Sequence, residues 1–235
     1  MADGRDAAVL WALLRGARSG GSHAERLERF YRPQADHYDR FRERLLQGRQ
    51  ALIARLPVPD GGRVVELGAG TGRNLEFFGP RIETFGGVDL VDLCRPLLAK
   101  ARERCARWPN VKVHEADACA WRPDAPVNAV YFSYALTMIP DWRGAIDNAL
   151  SMLAEGGAIG VVDFNLPAAG RGLAGLLQRR FWPRWFAHDG VHLSDAHLPY
   201  LLERCRPLLV EQRTAAVPYL LGLRVPYYAF VGEAA

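Results

Sequence analysis

The stretch of this sequence with the clearest chemical meaning is a glycine-rich turn that follows an acidic residue. Glu66 and Leu67 come directly after Val64 and Val65, and residues 68–72 read Gly-Ala-Gly-Thr-Gly. Glycines between a strand and a helix let the backbone approach a ligand closely and adopt a positive φ. The same turn also fits a tight strand-to-helix connection that binds nothing, so residues elsewhere must decide between the two readings.

Acidic residues beyond the turn fall at the spacing of a nucleotide site. Asp89 lies 17 residues after Gly72 and is predicted to end the second strand, where a carboxylate can accept both ribose hydroxyls. Asp117, followed by Ala118, is predicted to end the third strand, where a carboxylate can bind an adenine amino group. A Glu-Gly-Gly turn at 155–157 precedes the predicted fifth strand. This set favours a ligand-binding turn.

The elements that must position these residues alternate along the chain after residue 60. Short β-branched runs predict strands at 64–67, 83–88, 111–115, 127–133 and 158–163, and periodic apolar residues predict helices at 73–78, 93–106 and 142–153. This alternation predicts an α/β fold with a doubly wound parallel sheet. After a predicted helix at 194–205, two apolar runs at 211–223 and 225–232 have no crossover helix between them and predict an antiparallel hairpin.

The first 60 residues carry a different pattern. Apolar and aromatic residues at intervals of three and four predict helices at 24–31 and 35–56, and Pro57 and Pro59 end the second of them. No linker rich in Pro, Gly or Ser divides the remaining chain. We therefore predict a helical N-terminal extension that caps the site at 1–60 and one α/β domain at 61–235.

Composition limits the possible classes of protein. A hydrophobic share of 49% with 24% charged residues is the balance of a chain that buries a core. No apolar run approaches the roughly 18 residues of a membrane-spanning helix, and no secretory signal pattern is seen, which predicts a cytoplasmic protein. Four scattered cysteines predict ordinary reduced thiols. A net charge of +4 without a basic stripe argues against nucleic-acid binding.

The acidic glycine turn, the two later acids and the Gly-Gly turn together resemble the class I S-adenosylmethionine-dependent methyltransferases. The resemblance runs from about residue 24 to the C-terminus, and implies a Rossmann-like seven-stranded sheet with an antiparallel final strand and S-adenosyl-L-methionine as cofactor. A dehydrogenase is the weaker alternative, because its turn more commonly reads GxGxxG and Gly72 stands one position early. A non-catalytic, methyltransferase-like binding protein is the other alternative, and the intact set of motif residues argues against it.

A closer resemblance lies in the flanking segments. Residues 31–39, 48–49, 72–75, 133–142 and 185–193 look like the methyltransferase of betaine-lipid synthesis. That family methylates the amine of diacylglycerylhomoserine three times, which implies a lipid substrate with an amine head group and a partner enzyme that supplies it. A phosphatidylethanolamine or quinone methyltransferase on the same scaffold is the alternative.

These resemblances imply roles for particular residues. Glu66 is expected to accept hydrogen bonds from the glycine turn and from the amino group of the cofactor, and Arg49 is expected to bind the cofactor carboxylate. The alternatives are a purely structural stabiliser of the turn for Glu66 and a solvated surface arginine for Arg49. The expected cofactor-binding residues are Tyr38, Arg49, Glu66, Gly68, Gly70, Thr71, Gly72, Asn74, Asp89, Leu90, Asp117, Ala118 and Ser133. Tyr31, Tyr134 and His188 are the candidate catalytic residues, because a tyrosine or histidine could accept the proton that leaves the amine. Core packing is the alternative for the tyrosines.

Two features near residue 180 remain. His188, Asp189 and His192 have no further metal ligand in a matching context, so no metal site is predicted. Residues 171–187 contain four arginines, no acid, and the aromatic residues Trp182 and Trp185, a composition typical of an element in the membrane interface. A cover over the active site is the compatible alternative. If residues 171–187 lie in the membrane interface, we expect peripheral association of the protein with the anionic inner face of the membrane.

Overall fold

A seven-stranded mixed sheet organises the protein. The computed structural model describes residues 24–25, 28–29, 43, 45–166, 182–183, 191–217 and 223–234. The strands are β1 (Arg63–Leu67), β2 (Gly87–Asp92), β3 (Val111–Glu115), β4 (Val127–Ser133), β5 (Leu153–Phe164), β6 (Cys205–Ala216) and β7 (Arg224–Ala234). They lie in the order β3-β2-β1-β4-β5-β7-β6. β1 to β5 are parallel, and β7 runs antiparallel between β5 and β6. The predicted doubly wound sheet with a final antiparallel hairpin is confirmed.

Helices cover both faces of this sheet. They are α1 (Arg49–Arg55), a 3₁₀ segment (Arg73–Thr84) kinked at Gly79, α2 (Arg95–Cys105), a 3₁₀ turn (Leu136–Met138), α3 (Trp142–Ser151) and α4 (His197–Arg204). Successive residues of β4 alternate between two apolar clusters: Phe132 packs in the cluster that contains Ile146, and Tyr131 packs in the one that contains Leu75. Because side chains of a strand point alternately to opposite faces, both faces of β4 are buried.

The second strand corrects the sequence prediction. The predicted strand at 83–88 is wrong, because the 3₁₀ segment continues to Thr84 and β2 spans Gly87–Asp92. Asp89 lies in the middle of β2, where it is 3% exposed. The strands of a parallel sheet are buried on both faces, so their sequences are nearly continuous apolar runs. An acid that is buried and paired in the middle of such a strand interrupts the run, and in the sequence it looks like the end of the strand. The residue that ends β2 is Asp92.

The N-terminal part also differs from its prediction. A continuous helix over 35–56 is wrong at Gly48, which has φ 85° and precedes α1 as its N-cap. A Cβ at this position would lie 2.7 Å from Cε2 of Tyr227, so only glycine fits. Residues 26–27, 30–31, 35–42 and 44 of the predicted N-terminal helices lie outside the described residues. Within the described part of the chain, no helix is long and apolar enough to span a membrane.

Candidate active site

A cavity of about 310 Å³ opens at the carboxyl ends of β1, β2 and β4. The strand order reverses here, since β2 and β3 lie on one side of β1 while β4 and β5 lie on the other. Ligands of open parallel sheets bind at this kind of switch point. The predicted residues that line the cavity are Arg49, Gly68, Gly70, Thr71, Asn74, Asp117, Ala118, Ser133 and Tyr134. Glu66, Gly72, Asp89 and Leu90 are not among the residues that line it.

The glycine turn forms the floor of this cavity. Gly68 and Gly70 have φ angles of 76° and 55°, and the N–H of Gly68 donates to the carbonyl of Val91 at 2.8 Å. Gly72 lies behind the floor, where a Cβ would meet Leu90 Cδ1 at 3.0 Å and Ala101 Cβ at 3.4 Å. The third glycine therefore permits close packing of α2 on the sheet. Gly72 and Leu90 pack against each other and do not line the cavity, and their contact with a cofactor stays a prediction.

The carboxylate at the end of β2 belongs to Asp92. Its Oδ2 accepts from the N–H of Gly70 at 2.8 Å, and its Oδ1 accepts from the N–H of Cys94 at 2.8 Å. Burial raises the pKa of Asp92, while these backbone donors lower it. Asp92 therefore holds the glycine turn and lines the cavity at the same time.

Asp89, the predicted ribose acid, has other partners. Its Oδ1 lies 2.7 Å from Nε2 of His114, and its Oδ2 accepts from Nη2 of Arg63 at 3.4 Å. The assignment of the strand-end acid to Asp89 is wrong, because three residues of β2 follow it. A sequence signal for Asp92 did exist. Pro96 stands in the first turn of α2, a position that favours proline, so the sequence indicates a helix start near Arg95 and a strand end shortly before it, near Asp92.

Asp117 and Ala118 lie where the sequence placed them, just beyond the end of β3. Asp117 Oδ1 accepts from the N–H of Cys119 at 2.8 Å, which fixes the carboxylate at the rim. Apolar residues that sequence reasoning did not identify also line the cavity: Leu93, Leu97, Ile139 and Pro140. A carboxylate beside an apolar slot can bind a flat ring that carries an amino group.

A buried polar network supports the part of the cavity that Arg49 and Asn74 line. Glu66 is fully buried; its Oε1 accepts from Nδ2 of Asn74 at 2.6 Å, and its Oε2 accepts from the hydroxyl of Tyr131 at 2.8 Å. Asn74 Oδ1 in turn accepts from Nη1 of Arg49 at 3.3 Å. Since Asn74 and Arg49 line the cavity and Glu66 does not, Glu66 orients Asn74 from behind. The expected contact of Glu66 itself with the cofactor stays a prediction.

Burial raises the pKa of Glu66 from 4.5 to about 7, although Asn74, Tyr131 and Arg49 lower it. The folded protein therefore holds a proton that the unfolded chain has lost, and the free energy of unfolding falls as pH rises from about 4.5 to about 7. At about 1.4 kcal/mol per pKa unit, we expect wild type to lose about 3 kcal/mol more over this range than Glu66→Gln, which cannot titrate. Urea unfolding at several pH values measures this difference.

Glu83→Gln, which changes an exposed carboxyl, is the matched control and should keep the wild-type pH dependence. Parallel curves for wild type and Glu66→Gln would contradict the raised pKa.

Ser133 and Tyr134 follow the end of β4 and line the cavity. Ser133 Oγ is buried and has no hydrogen-bond partner within the described part of the chain. Tyr134 has φ 55°, and its hydroxyl donates to the carbonyl of Gln47 at 2.6 Å. Burial raises the pKa of Tyr134 well above 10, so its hydroxyl stays protonated and engaged at neutral pH. This geometry argues against the predicted role of Tyr134 as a proton acceptor and leaves its ring as a wall of the cavity.

Other predicted residues fall outside the description. Tyr31, Tyr38 and His188 lie outside the described residues, as do most of residues 171–187. Trp182 is described and is fully buried, packed in a cluster that includes Leu46 and Tyr134. Its side chain is therefore not exposed to a membrane, in contrast to the interfacial prediction. The residues described here contain no group of metal-ligating side chains that could hold an ion.

Comparisons with known proteins agree with this geometry. Residues 38–204 match the methyltransferase domain family. The chain is 33% identical over 125 residues to a trans-aconitate 2-methyltransferase of Variovorax paradoxus, and this aligned stretch is 53% of this chain and 47% of that protein. It is 28% identical over 152 residues to a demethylmenaquinone methyltransferase of Tropheryma whipplei, which covers 63% of this chain and 62% of that protein.

The solved structure of the N-methyltransferase NodS from Bradyrhizobium japonicum WM9, in complex with S-adenosyl-L-homocysteine, has a TM-score of 0.65 at 18% identity. It covers 90% of this chain and 99% of that chain. The chain spans about half the length of the trans-aconitate methyltransferases that it matches. The family match extends over most of the sheet and includes every strand that borders the cavity. The chain therefore belongs to the methyltransferase domain family and has the fold of the class I S-adenosylmethionine-dependent enzymes.

Proposed function

We propose that this protein transfers methyl groups from S-adenosylmethionine to the amine of diacylglycerylhomoserine and forms the trimethylated betaine lipid. The observation that carries the cofactor part is the cavity at the switch point of the sheet. It brings the carboxylates of Asp92 and Asp117, the glycine turn and the Arg49–Asn74 pair around one space. This donor and acceptor set is complementary to the ribose, the adenine and the amino-acid end of S-adenosylmethionine.

Each part of the cofactor has a partner of suitable chemistry in this cavity. Asp92 is a charged acceptor for the ribose hydroxyls, and Asp117 with its apolar neighbours suits the adenine. The guanidinium of Arg49 suits a carboxylate. It is oriented by the carbonyl of Leu46 and by the side chain of Asn74, which Glu66 holds in turn. The bound cofactor supplies an electrophilic methyl group on a sulfonium.

The acceptor part of the proposal rests on the resemblance of the flanking segments and on the apolar side of the cavity. One of those segments, 133–142, includes the cavity wall from Ser133 to Asp141. Behind Tyr134 and Leu46 lies an apolar cluster with Phe164 and Trp182, which excludes water from this side. The ring of Tyr134 is suited to a methylated ammonium through cation–π attraction. These features favour an amine on an apolar carrier.

The proposal also includes the partners of such an enzyme. A lipid acceptor requires contact with a membrane surface, and the arginines in residues 171–187 are the candidates for peripheral binding to anionic lipid. The enzyme that supplies diacylglycerylhomoserine is the expected metabolic partner. Tyr31 and His188 remain the candidates for taking up the proton released by the amine.

Methylation of purified lipids tests the acceptor directly. Purified protein is incubated with S-adenosylmethionine and vesicles that contain diacylglycerylhomoserine, phosphatidylethanolamine or demethylmenaquinone, and separately with trans-aconitate. We expect singly, doubly and triply methylated products by mass spectrometry from diacylglycerylhomoserine, at a rate at least tenfold above the others, since one hydrogen bond worth up to about 1.5 kcal/mol changes a rate about tenfold. Methylation of trans-aconitate or demethylmenaquinone at the higher rate would replace the proposed acceptor while leaving the proposed methyl donor intact.

A further inference from the structure

A buried carboxylate behind the cavity wall has no part in the site described above. Asp163 lies one residue before the end of β5 and is fully buried. Its Oδ1 accepts from the hydroxyl of Thr137 at 2.8 Å, and its Oδ2 accepts from the N–H of Thr137 at 3.1 Å. The N–H of Phe164 also donates to Oδ1, at 2.7 Å. Both oxygens are therefore held by donors, and Thr137 supplies one to each.

Asp163 has no cationic partner among the ion pairs of the described residues. Burial raises its pKa to about 6, while the hydrogen bonds from Thr137 and Phe164 lower it, so the group is ionised at neutral pH. The phenols of Tyr134, just beyond β4, and of Tyr228, in β7, lie near Asp163. Their pKa values are raised by burial and, to a smaller extent, by the negative charge of Asp163. A buried charge without a counter-ion is costly, so the bonds from Thr137 are strong constraints on the turn that carries them.

That turn forms one wall of the cavity. Thr137 is the middle residue of the 3₁₀ turn Leu136–Met138 and is 2% exposed, pointing away from the cavity. Its neighbours Ala135 and Met138 line the cavity, as do the following residues Ile139 to Asp141. The carbonyl of Thr137 also accepts from the N–H of His192 at 2.7 Å. The wall is thus held from behind on two sides at one residue.

We propose that Asp163 is a positioning residue for methyl transfer, which acts through Thr137 to fix the turn that walls the cofactor cavity. This inference rests on the proposed use of S-adenosylmethionine. It predicts that loss of the Thr137 hydroxyl changes cofactor affinity although neither Thr137 nor Asp163 lines the cavity. Thr137→Val keeps the shape of the side chain and the backbone N–H, but removes the hydroxyl donor.

Calorimetric titration with S-adenosylmethionine, below the unfolding temperature, tests the proposal. We expect affinity to fall about tenfold in Thr137→Val, in the range for one hydrogen bond to a charged group, and to return to within about twofold of wild type in Thr137→Ser, which restores the donor. Asp163→Asn is the second variant and should show a similar loss. Its amide NH₂ replaces one carboxylate oxygen, so a donor then faces one of the donors that the carboxylate accepted from. In turnover assays, KM for the donor should rise while kcat at saturation changes little.

Asn110→Ala is the matched control for a loss of stability alone. Asn110 directly precedes β3, which is the edge strand at the other end of the sheet from β6. Its side chain donates to the carbonyls of Ile82 and Phe85. It should lower the unfolding temperature and leave affinity unchanged. Unchanged affinity in Thr137→Val and Asp163→Asn, or an equal loss in Asn110→Ala, would overturn the positioning role. A wild-type protein that does not bind S-adenosylmethionine would instead refute the proposed function.

Discussion

Asp92→Ala should weaken the binding of S-adenosylmethionine at least a hundredfold, as measured by calorimetric titration of the purified protein. Two hydrogen bonds from ribose hydroxyls to a carboxylate are worth on the order of 1.5 to 3 kcal/mol each, and each 1.4 kcal/mol is a factor of ten in affinity. The substitution also leaves the N–H groups of Gly70 and Cys94 without their acceptor. The glycine turn then loses the side chain that holds its middle residue.

Asp89→Ala is the matched control for this prediction. Asp89 is an acid of the same strand, buried, with partners in Arg63 and His114 rather than in the cavity. Its loss should lower the unfolding temperature, because those partners are left unpaired. Cofactor affinity should change less than threefold, because substitutions at well-separated sites usually affect each other by no more than about 0.5 kcal/mol. The reverse result, with affinity lost in Asp89→Ala and kept in Asp92→Ala, would return the ribose role to Asp89.

Gly68→Ala should abolish detectable cofactor binding or prevent folding. Gly68 has φ 76°, where an L-residue costs about 1 to 2 kcal/mol. In addition, the new Cβ would overlap the Cβ of Ala135, the residue that leads into the cavity wall. Relief of this overlap must move either the floor or the wall of the cavity. Circular dichroism reports folding, and calorimetric titration reports affinity.

Gly156→Ala separates the backbone cost from the overlap. Gly156 has φ 71°, close to that of Gly68, but a Cβ there meets nothing within 4 Å. The control variant should therefore show a modest loss of stability and normal cofactor affinity. If Gly68→Ala behaves in the same way as Gly156→Ala, then the contact with Ala135 does not constrain the cavity.

Local patterns allowed much of the fold to be predicted from the sequence. β4 was predicted at its observed bounds, because five of the seven residues of Val127–Ser133 are apolar and Pro126 directly precedes them. The hairpin of β6 and β7 follows from the lack of room for a crossover helix between two apolar runs. The failure at β2 has a physical cause: an acid satisfied by Arg63 and His114 can be buried in the middle of a strand, and the linear sequence does not reveal these partners.

The sequence by itself determined the glycine turn, the alternation of strands and helices, and the position of Asp117 just beyond β3, since each depends on neighbouring residues and their conformational preferences. Only the tertiary structure decided that Asp92 faces the cavity, that Glu66 stands behind Asn74, and that the hydroxyl of Tyr134 donates a hydrogen bond to the carbonyl of Gln47. Thr137 and Asp163 are 26 residues apart and belong to different elements. Such pairs form because the parallel strands bring their carboxyl ends to one edge, where buried polar groups must find partners across the fold.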